Sequence, residues 1–298
     1  PVNFSIRDEA DIIDLDFRDI LLAVGGRMYR EYRKGGGKLP EQLLKELNSW
    51  RGKVEQEVRT ISGLPVQFEL GAGMEAFFVN AGIKMKLEPK TRSEIRQVFE
   101  RDITGLISVI NSIATAIYTK EKRIPLILID DLDKPEVEKA RTIFHDRREI
   151  MMQPNCAIVY TVSSALFYTK EFDSIRDQAI FLPNIKLHPR LKPNERYPKG
   201  YATLESFVKQ RMDVQMIDPI ALEQAISYSG GVFREMARIM RTAIGQARRR
   251  KTGKVETVDI EWAATEIRNE YRRILDVEDI EILRRVQIDN KLEYNDRL

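Results

Sequence analysis

Several things this sequence lacks, or nearly lacks, would each have pointed to a class of protein. Its 298 residues include a single cysteine, Cys156, which excludes an internal disulfide framework and fits a reducing compartment. Its two histidines, His145 and His188, lie far apart without metal-ligand companions, so both read as structural or solvated groups. No apolar run approaches the roughly 20 residues of a membrane-crossing helix, and no signal peptide is recognisable. These absences give the expectation of a cytoplasmic protein with no membrane partner. An excess of one charge is also missing. Lys and Arg number 49 against 46 Asp and Glu, a formal net charge of +3, so the balance gives no indication of a nucleic-acid partner. What is present is an ordinary globular composition, with 43% hydrophobic residues to build a core. The length allows one large domain or two to three small ones.

Along the chain, Val2, Phe4 and Ile6 alternate with polar residues as in a short strand. An acidic stretch, Asp8 to Asp16, leads into a helical pattern through Phe17, Ile20, Leu21, Val24 and Met28. The run Lys34-Gly35-Gly36-Gly37-Lys38 ends that helix. It is not a phosphate loop: a helix precedes it, Leu39-Pro40 follows it, and no Ser or Thr stands beside Lys38. A helix is predicted from Glu41 to about Thr60. The alternation in Ala76-Phe77-Phe78-Val79 and Ile83 to Leu87 predicts a β-hairpin insertion over about 61–90. From Thr91 to about Lys120 the apolar spacing predicts one long helix.

The stretch Leu126-Ile127-Leu128-Ile129-Asp130-Asp131-Leu132-Asp133 is the most informative. A continuous apolar run suits a strand buried on both faces of a parallel sheet. Adjacent carboxylates at its end add nothing to packing, and open α/β sheets bind ligands beyond the C-terminal ends of their strands. There Asp130 can hold a magnesium ion bridging nucleotide phosphates, and Asp131 can polarise the attacking water. This is the Walker B pattern. Asp133 is expected to cap the next helix or contact a neighbouring subunit. After a predicted helix from about Glu136 to Met152, Cys156 to Val162 reads as a second buried strand, running into Ser163 and Ser164. Phe181 to Leu187 reads as a third strand, and the Pro/Lys/Arg-rich stretch His188 to Gly200 as a linker. Helices follow, with a Gly230-Gly231 turn before one carrying Arg234.

In order and spacing, the Walker B strand, the polar end of the next strand and the Gly-Gly turn with its early arginine resemble bacterial P-loop ATPases of the AAA+/STAND kind. The resemblance covers roughly Ile124 to Ile274. It implies an α/β fold: a parallel-sheet P-loop NTPase core over 1–190, an α-helical lid over 191–275, and the start of a C-terminal, winged-helix-like segment over 276–298. It implies ATP and Mg2+ as ligands, Thr161 and then Ser163 in the sensor 1 position, and Arg234 as the sensor 2 arginine reaching the γ-phosphate. It further implies a switch that works through a homo-oligomer or a partner protein. A DNA-binding initiator or loader, or a nucleotide-dead scaffold, is the alternative. No Walker A loop stands in these residues. The chain opens on the strand-like Pro1-Val2-Asn3-Phe4-Ser5-Ile6, without an initiator Met, and the expectation is that a preceding segment supplies the loop.

Overall fold

The computed structural model describes all residues except 63–72, 190–191, 193 and 290–298. The chain divides into two compact units, Pro1–Ala179 and Ile180–Leu298.

The first unit opens with β1 (Val2–Ser5) and the short helix α1 (Ile6–Glu9), then α2 (Phe17–Lys34) and α3 (Glu41–Ser62). Asp16 starts α2 through a capping box: its carboxylate accepts from the helix backbone while Asp19 accepts from the N–H of Asp16. Gly35 caps the C-terminal end of α2, so the glycine run closes a helix rather than opening one. Next come α4 (Met74–Leu87), α5 (Pro89–Arg101) and α6 (Ile103–Glu121). Two expectations fail here. The hairpin is replaced, where the residues are described, by α4. Met74, Phe77, Phe78, Ala81 and Met85 are buried at i, i+3, i+4, i+7 and i+11, a helical period that outweighs the local alternation. Part of the predicted hairpin, 63–72, lies outside the described residues. The single long helix is two, bent by 84° at Asp102. Asp102 leaves helical geometry and its carboxylate accepts from the Gly105 N–H at 2.9 Å, so an N-cap interrupts the apolar period.

The acidic stretch is neutralised from two helices: Arg27, Arg30 and Arg18 of α2 pair with Asp8, Glu9 and Asp16, and α5 takes the middle. Arg92 pairs with Asp11 at 3.0 Å and Asp14 at 2.7 Å, and Arg96 with Asp14 and the buried Asp19. Burial pushes the Asp14 carboxyl upward, but the Arg92 hydrogen bond and the Arg96 charge outweigh it and hold the group below its usual range.

The sheet is completed by β2 (Leu126–Asp130) and β3 (Ala157–Tyr160), in the order β1-β2-β3, all parallel. Val2 stands opposite Ile127, and Ile127 opposite Ile158. One face carries Phe4, Ile127 and Ile129 into the core; the other leaves Leu126 and Val159 partly exposed. Burial on both faces, expected for β2, is therefore met on one. Between β2 and β3 the predicted helix is broken into α7 (Val137–Arg141), a π-helical turn Thr142–Asp146, and α8 (Arg148–Met151). The architecture is thus helical, with a small parallel sheet of the α/β kind.

Among the described residues, the regular elements of the second unit are all helices, with one isolated bridge between Ile217 and Val255. It contains α9 (Pro198–Lys209), α10 (Pro219–Tyr228), α11 (Phe233–Arg249), α12 (Thr257–Ile274) and α13 (Val277–Asp289). Its core is built from Leu204, Ala225, Met236, Ile239, Ile260 and Ala263. The predicted third strand, Phe181 to Leu187, is not one: it has no strand partner and runs as irregular chain. Ile185 N–H donates to the Gly231 carbonyl at 3.0 Å, which ties this stretch to the turn before α11. Of the segment 276–298 expected to open a winged helix, the structure describes the helix α13, and residues 290–298 lie outside the described residues. Among the described residues no single helix is long and apolar enough to cross a membrane.

Candidate functional site

Parallel pairing sets the C-terminal ends of the three strands side by side, and each ends in a polar residue. Ser5 ends β1 directly opposite Asp130, the last residue of β2. Asp131 turns away from the sheet with a positive φ of 64°. This left-handed conformation is uncommon for a residue with a Cβ, though Asp tolerates it better than most. Three contacts hold it. The Ser5 hydroxyl donates to Asp131 Oδ2 at 2.6 Å, Arg7 Nε lies 3.6 Å from Asp131 Oδ1, and the Asp131 N–H donates to Asp130 Oδ1 at 2.8 Å.

The Asp131 carboxylate is therefore fixed in direction, while Asp130 stands exposed with one oxygen engaged by a backbone N–H. From β3, Thr161 meets the same turn. Its Oγ1 accepts from the Leu132 N–H at 3.1 Å and keeps its own proton for another acceptor. Asp130, Asp131 and Thr161 are thus brought together. Ser163 points elsewhere: its Oγ accepts from the Ala165 N–H at 3.3 Å and caps a 3-10 turn. Asp133 does not cap the following helix, whose N-cap is Glu136; its carboxylate pairs with Lys134 at 2.6 Å. Arg234 belongs to the second unit. There Gly230 and Gly231 both take positive φ, and Arg234 sits exposed in the first turn of α11.

Sequence reasoning missed Ser5 and Arg7. The only signal was a polar residue and a cation closing an otherwise alternating strand. Their importance appears once β1 is registered on β2.

Other nucleophiles are engaged or suppressed. Burial pushes the Cys156 thiol up to about 11, which leaves almost no thiolate near neutrality. His145 Nδ1 lies 2.7 Å from Ser174 Oγ, but that hydroxyl donates to the Glu171 carbonyl at 2.8 Å, so its proton is already committed. His188 Nδ1 contacts the Glu195 carbonyl at 3.0 Å. Both histidines thus have local structural partners.

No family model, curated protein or solved structure matches this chain.

The strand-end cluster must therefore be judged by its own chemistry. Among the described residues no three His, Cys, Asp or Glu side chains converge to cage a metal. That excludes a closed structural site of the zinc kind within them. It leaves the open mode in which one or two carboxylates hold magnesium and phosphates and waters supply the other ligands. Asp130, exposed at the strand end, fits that mode better than Asp131, whose two oxygens face Ser5 and Arg7.

Proposed function

We propose that these residues form the hydrolytic part of a magnesium-dependent ATPase switch of the AAA+/STAND kind. The observation that carries the reading is the left-handed Asp131, following Asp130 at the C-terminal end of a parallel strand and oriented by Ser5. A strained residue held at a strand end by side chains from a distant segment is the arrangement expected of a working group rather than a filler. The likeness of the Gly230-Gly231 turn and Arg234 to a lid motif adds to it.

In this reading Asp130 holds the magnesium ion, which when bound neutralises charge on the β- and γ-phosphates. Asp131 accepts a proton from water as the water oxygen attacks the γ-phosphorus. The bond from that phosphorus to the bridging oxygen breaks, releasing ADP and inorganic phosphate. Thr161, whose hydroxyl proton is not needed by the Leu132 N–H, can donate to the water or to a γ-phosphate oxygen. Ser163 is the weaker sensor 1 candidate because its oxygen is taken by the Ala165 N–H. Arg234 supplies a permanent charge for the γ-phosphate. The reading requires a phosphate loop, which is not among these 298 residues.

The test is ATP turnover and nucleotide affinity in the full natural polypeptide containing these residues. Asp131→Asn is expected to abolish turnover while keeping magnesium–ATP binding, and Asp130→Asn to weaken that binding itself. Arg234→Ala is expected to cost roughly tenfold to a hundredfold in ATP affinity, as for loss of a charge-assisted bond of about 1.5–3 kcal/mol, with little change for ADP. Undiminished turnover in both aspartate variants would overturn the assignment.

A further inference from the structure

Among the described residues, the second unit carries two partly exposed apolar surfaces, and their charges are opposite. The first is a groove of about 370 Å³ between α9 and α11. Its floor is Phe207, Met212, Met240 and Ile244. Flexible thioethers suit such a floor for receiving another side chain. Its rim is Arg211, Arg241 and Arg248. Among the described residues none of these three meets a carboxylate; Arg211 lies over the Phe207 ring at 3.9 Å and donates to the Phe207 carbonyl.

A third feature marks the groove as a place of close approach. Gly245 lies within α11 and lines it. A glycine there costs about 1 kcal/mol of helix stability relative to alanine. Among the described residues nothing requires it, because an added Cβ would meet no atom within 4 Å. A glycine that its own fold does not need is explained when another backbone must pass over it.

The second surface is the N-terminal half of α13. Val277 is 73% exposed, and Ile280 and Leu283 are also open, while Asp279 and Ile282 face inward. These exposed residues follow one another at three-residue steps, as anchors on one helix face do. Glu278 and Glu281 lie in the same half, Asp276 precedes it and exchanges capping hydrogen bonds with the buried Asp279, and the cations Arg284 and Arg285 come after them. Glu281 makes no ion pair among the described residues. The lengths also correspond: α13 has 13 residues and α9 has 12, each about 18–20 Å.

From these features we infer that the arginine-rimmed groove between α9 and α11 receives the first two turns of α13 from a second copy of this chain. Val277 and Ile280 enter the apolar floor, the partner backbone crosses at Gly245, and Glu281 faces the arginine rim. Charge on the rim selects the acidic half of α13 and its direction, and the floor supplies the burial. Because each copy has both a groove and an α13, the contact is self-sufficient in a solution of one protein. The inference does not depend on nucleotide chemistry.

The test is sedimentation velocity of the whole chain over a range of concentrations, with a fluorescent peptide of residues 276–289 as a second probe. Concentration-dependent self-association and peptide binding are expected. Arg241→Glu and Glu281→Lys are each expected to weaken association about tenfold or more, and the double variant to restore it. Gly245→Gln should abolish association without lowering the thermal midpoint, because glutamine is the better helix former. That outcome separates a blocked groove from a damaged fold. A chain that stays monomeric and binds no peptide would overturn the inference, as would association indifferent to all three changes. So would duplex DNA binding lost in Arg241→Glu without any self-association, which would assign the rim to phosphates.

Discussion

The left-handed backbone at Asp131 can be tested without any nucleotide, by comparing two substitutions, which share their side-chain losses, with a third that keeps the Ser5 contact. Asp131→Ala and Asp131→Gly both remove the acceptor of the Ser5 hydrogen bond and the partner of Arg7. A partly exposed bond to a charged group places that shared cost at about 1.5 kcal/mol. The variants differ in the backbone. Alanine must hold a φ of 64°, at about 1–2 kcal/mol, whereas glycine takes it freely. Glycine in turn loses about 0.4–1 kcal/mol more chain entropy on folding. The net difference is about 0.5–1 kcal/mol in favour of glycine, the reverse of the usual order for the pair. Asp131→Asn keeps an oxygen for Ser5 and tolerates the conformation, so it should stay within about 0.5 kcal/mol of the parent. The assay is urea denaturation followed by tryptophan fluorescence in a Trp262→Phe background. That leaves Trp50, which stacks on Phe99 at 6.3 Å and meets Phe77 edge-on at 5.5 Å, as the reporter of the first unit. The expected order of stability is parent and asparagine, then glycine, then alanine. Alanine equal to or above glycine would falsify the strained geometry on which the site assignment rests.

Two further predictions concern positions away from the strand ends. In Gly231→Ala a Cβ would stand 1.8 Å from the Ile185 carbonyl oxygen at a φ of 84°, so the Ile185–Gly231 hydrogen bond must break. A loss above about 2 kcal/mol is expected from strain and the broken bond together, read from Trp262 fluorescence; unchanged stability would refute the seating of Ile185. For Asp16, burial pushes the carboxyl upward, but the hydrogen bonds and charge of Arg18 outweigh it and depress the folded value. Its contribution is therefore present above the unfolded value of about 3.9 and is lost as pH falls below it. Urea midpoints between about pH 6 and pH 3 should decline less steeply for Asp16→Asn, and a slope equal to the parent's would refute the linkage.

The parts legible in the sequence were those set by neighbours close along the chain. The apolar run ending in Asp130, the helical period from Phe17 to Met28 and the turn at Gly230-Gly231 each follow from local chemistry. The failures have two causes. In α4 and at Asp102 two local signals competed: alternation against helical period, and an apolar period against a capping aspartate. The stronger one is visible only when burial is known. Ser5 and Arg7 were out of reach for another reason. Ser5 and Asp131 are 126 residues apart, and only the pairing of β1 on β2 makes them neighbours. Phe181 to Leu187 has the composition of a strand, but a strand exists only with a partner, and these residues find the Gly231 turn instead.

The parallel pairing of β1 with β2 also dictates an order of events during protein synthesis. Val2 meets Ile127, a separation of 127 − 2 = 125 residues. At about 5–20 residues per second, β1 leaves the ribosome some 6–25 s before its partner strand follows. In that interval α2, α4 and α6 have all been made, and α2 packs on both α4 and α6. The helical layer can thus form first and offer a surface on which the strands are later laid. During the wait β1 is an unpaired strand, the kind of segment that recruits other chains. Its brevity, four residues, and its polar positions Asn3 and Ser5 limit that hazard. Ser5, which later orients Asp131, thus also keeps the nascent strand from being wholly apolar.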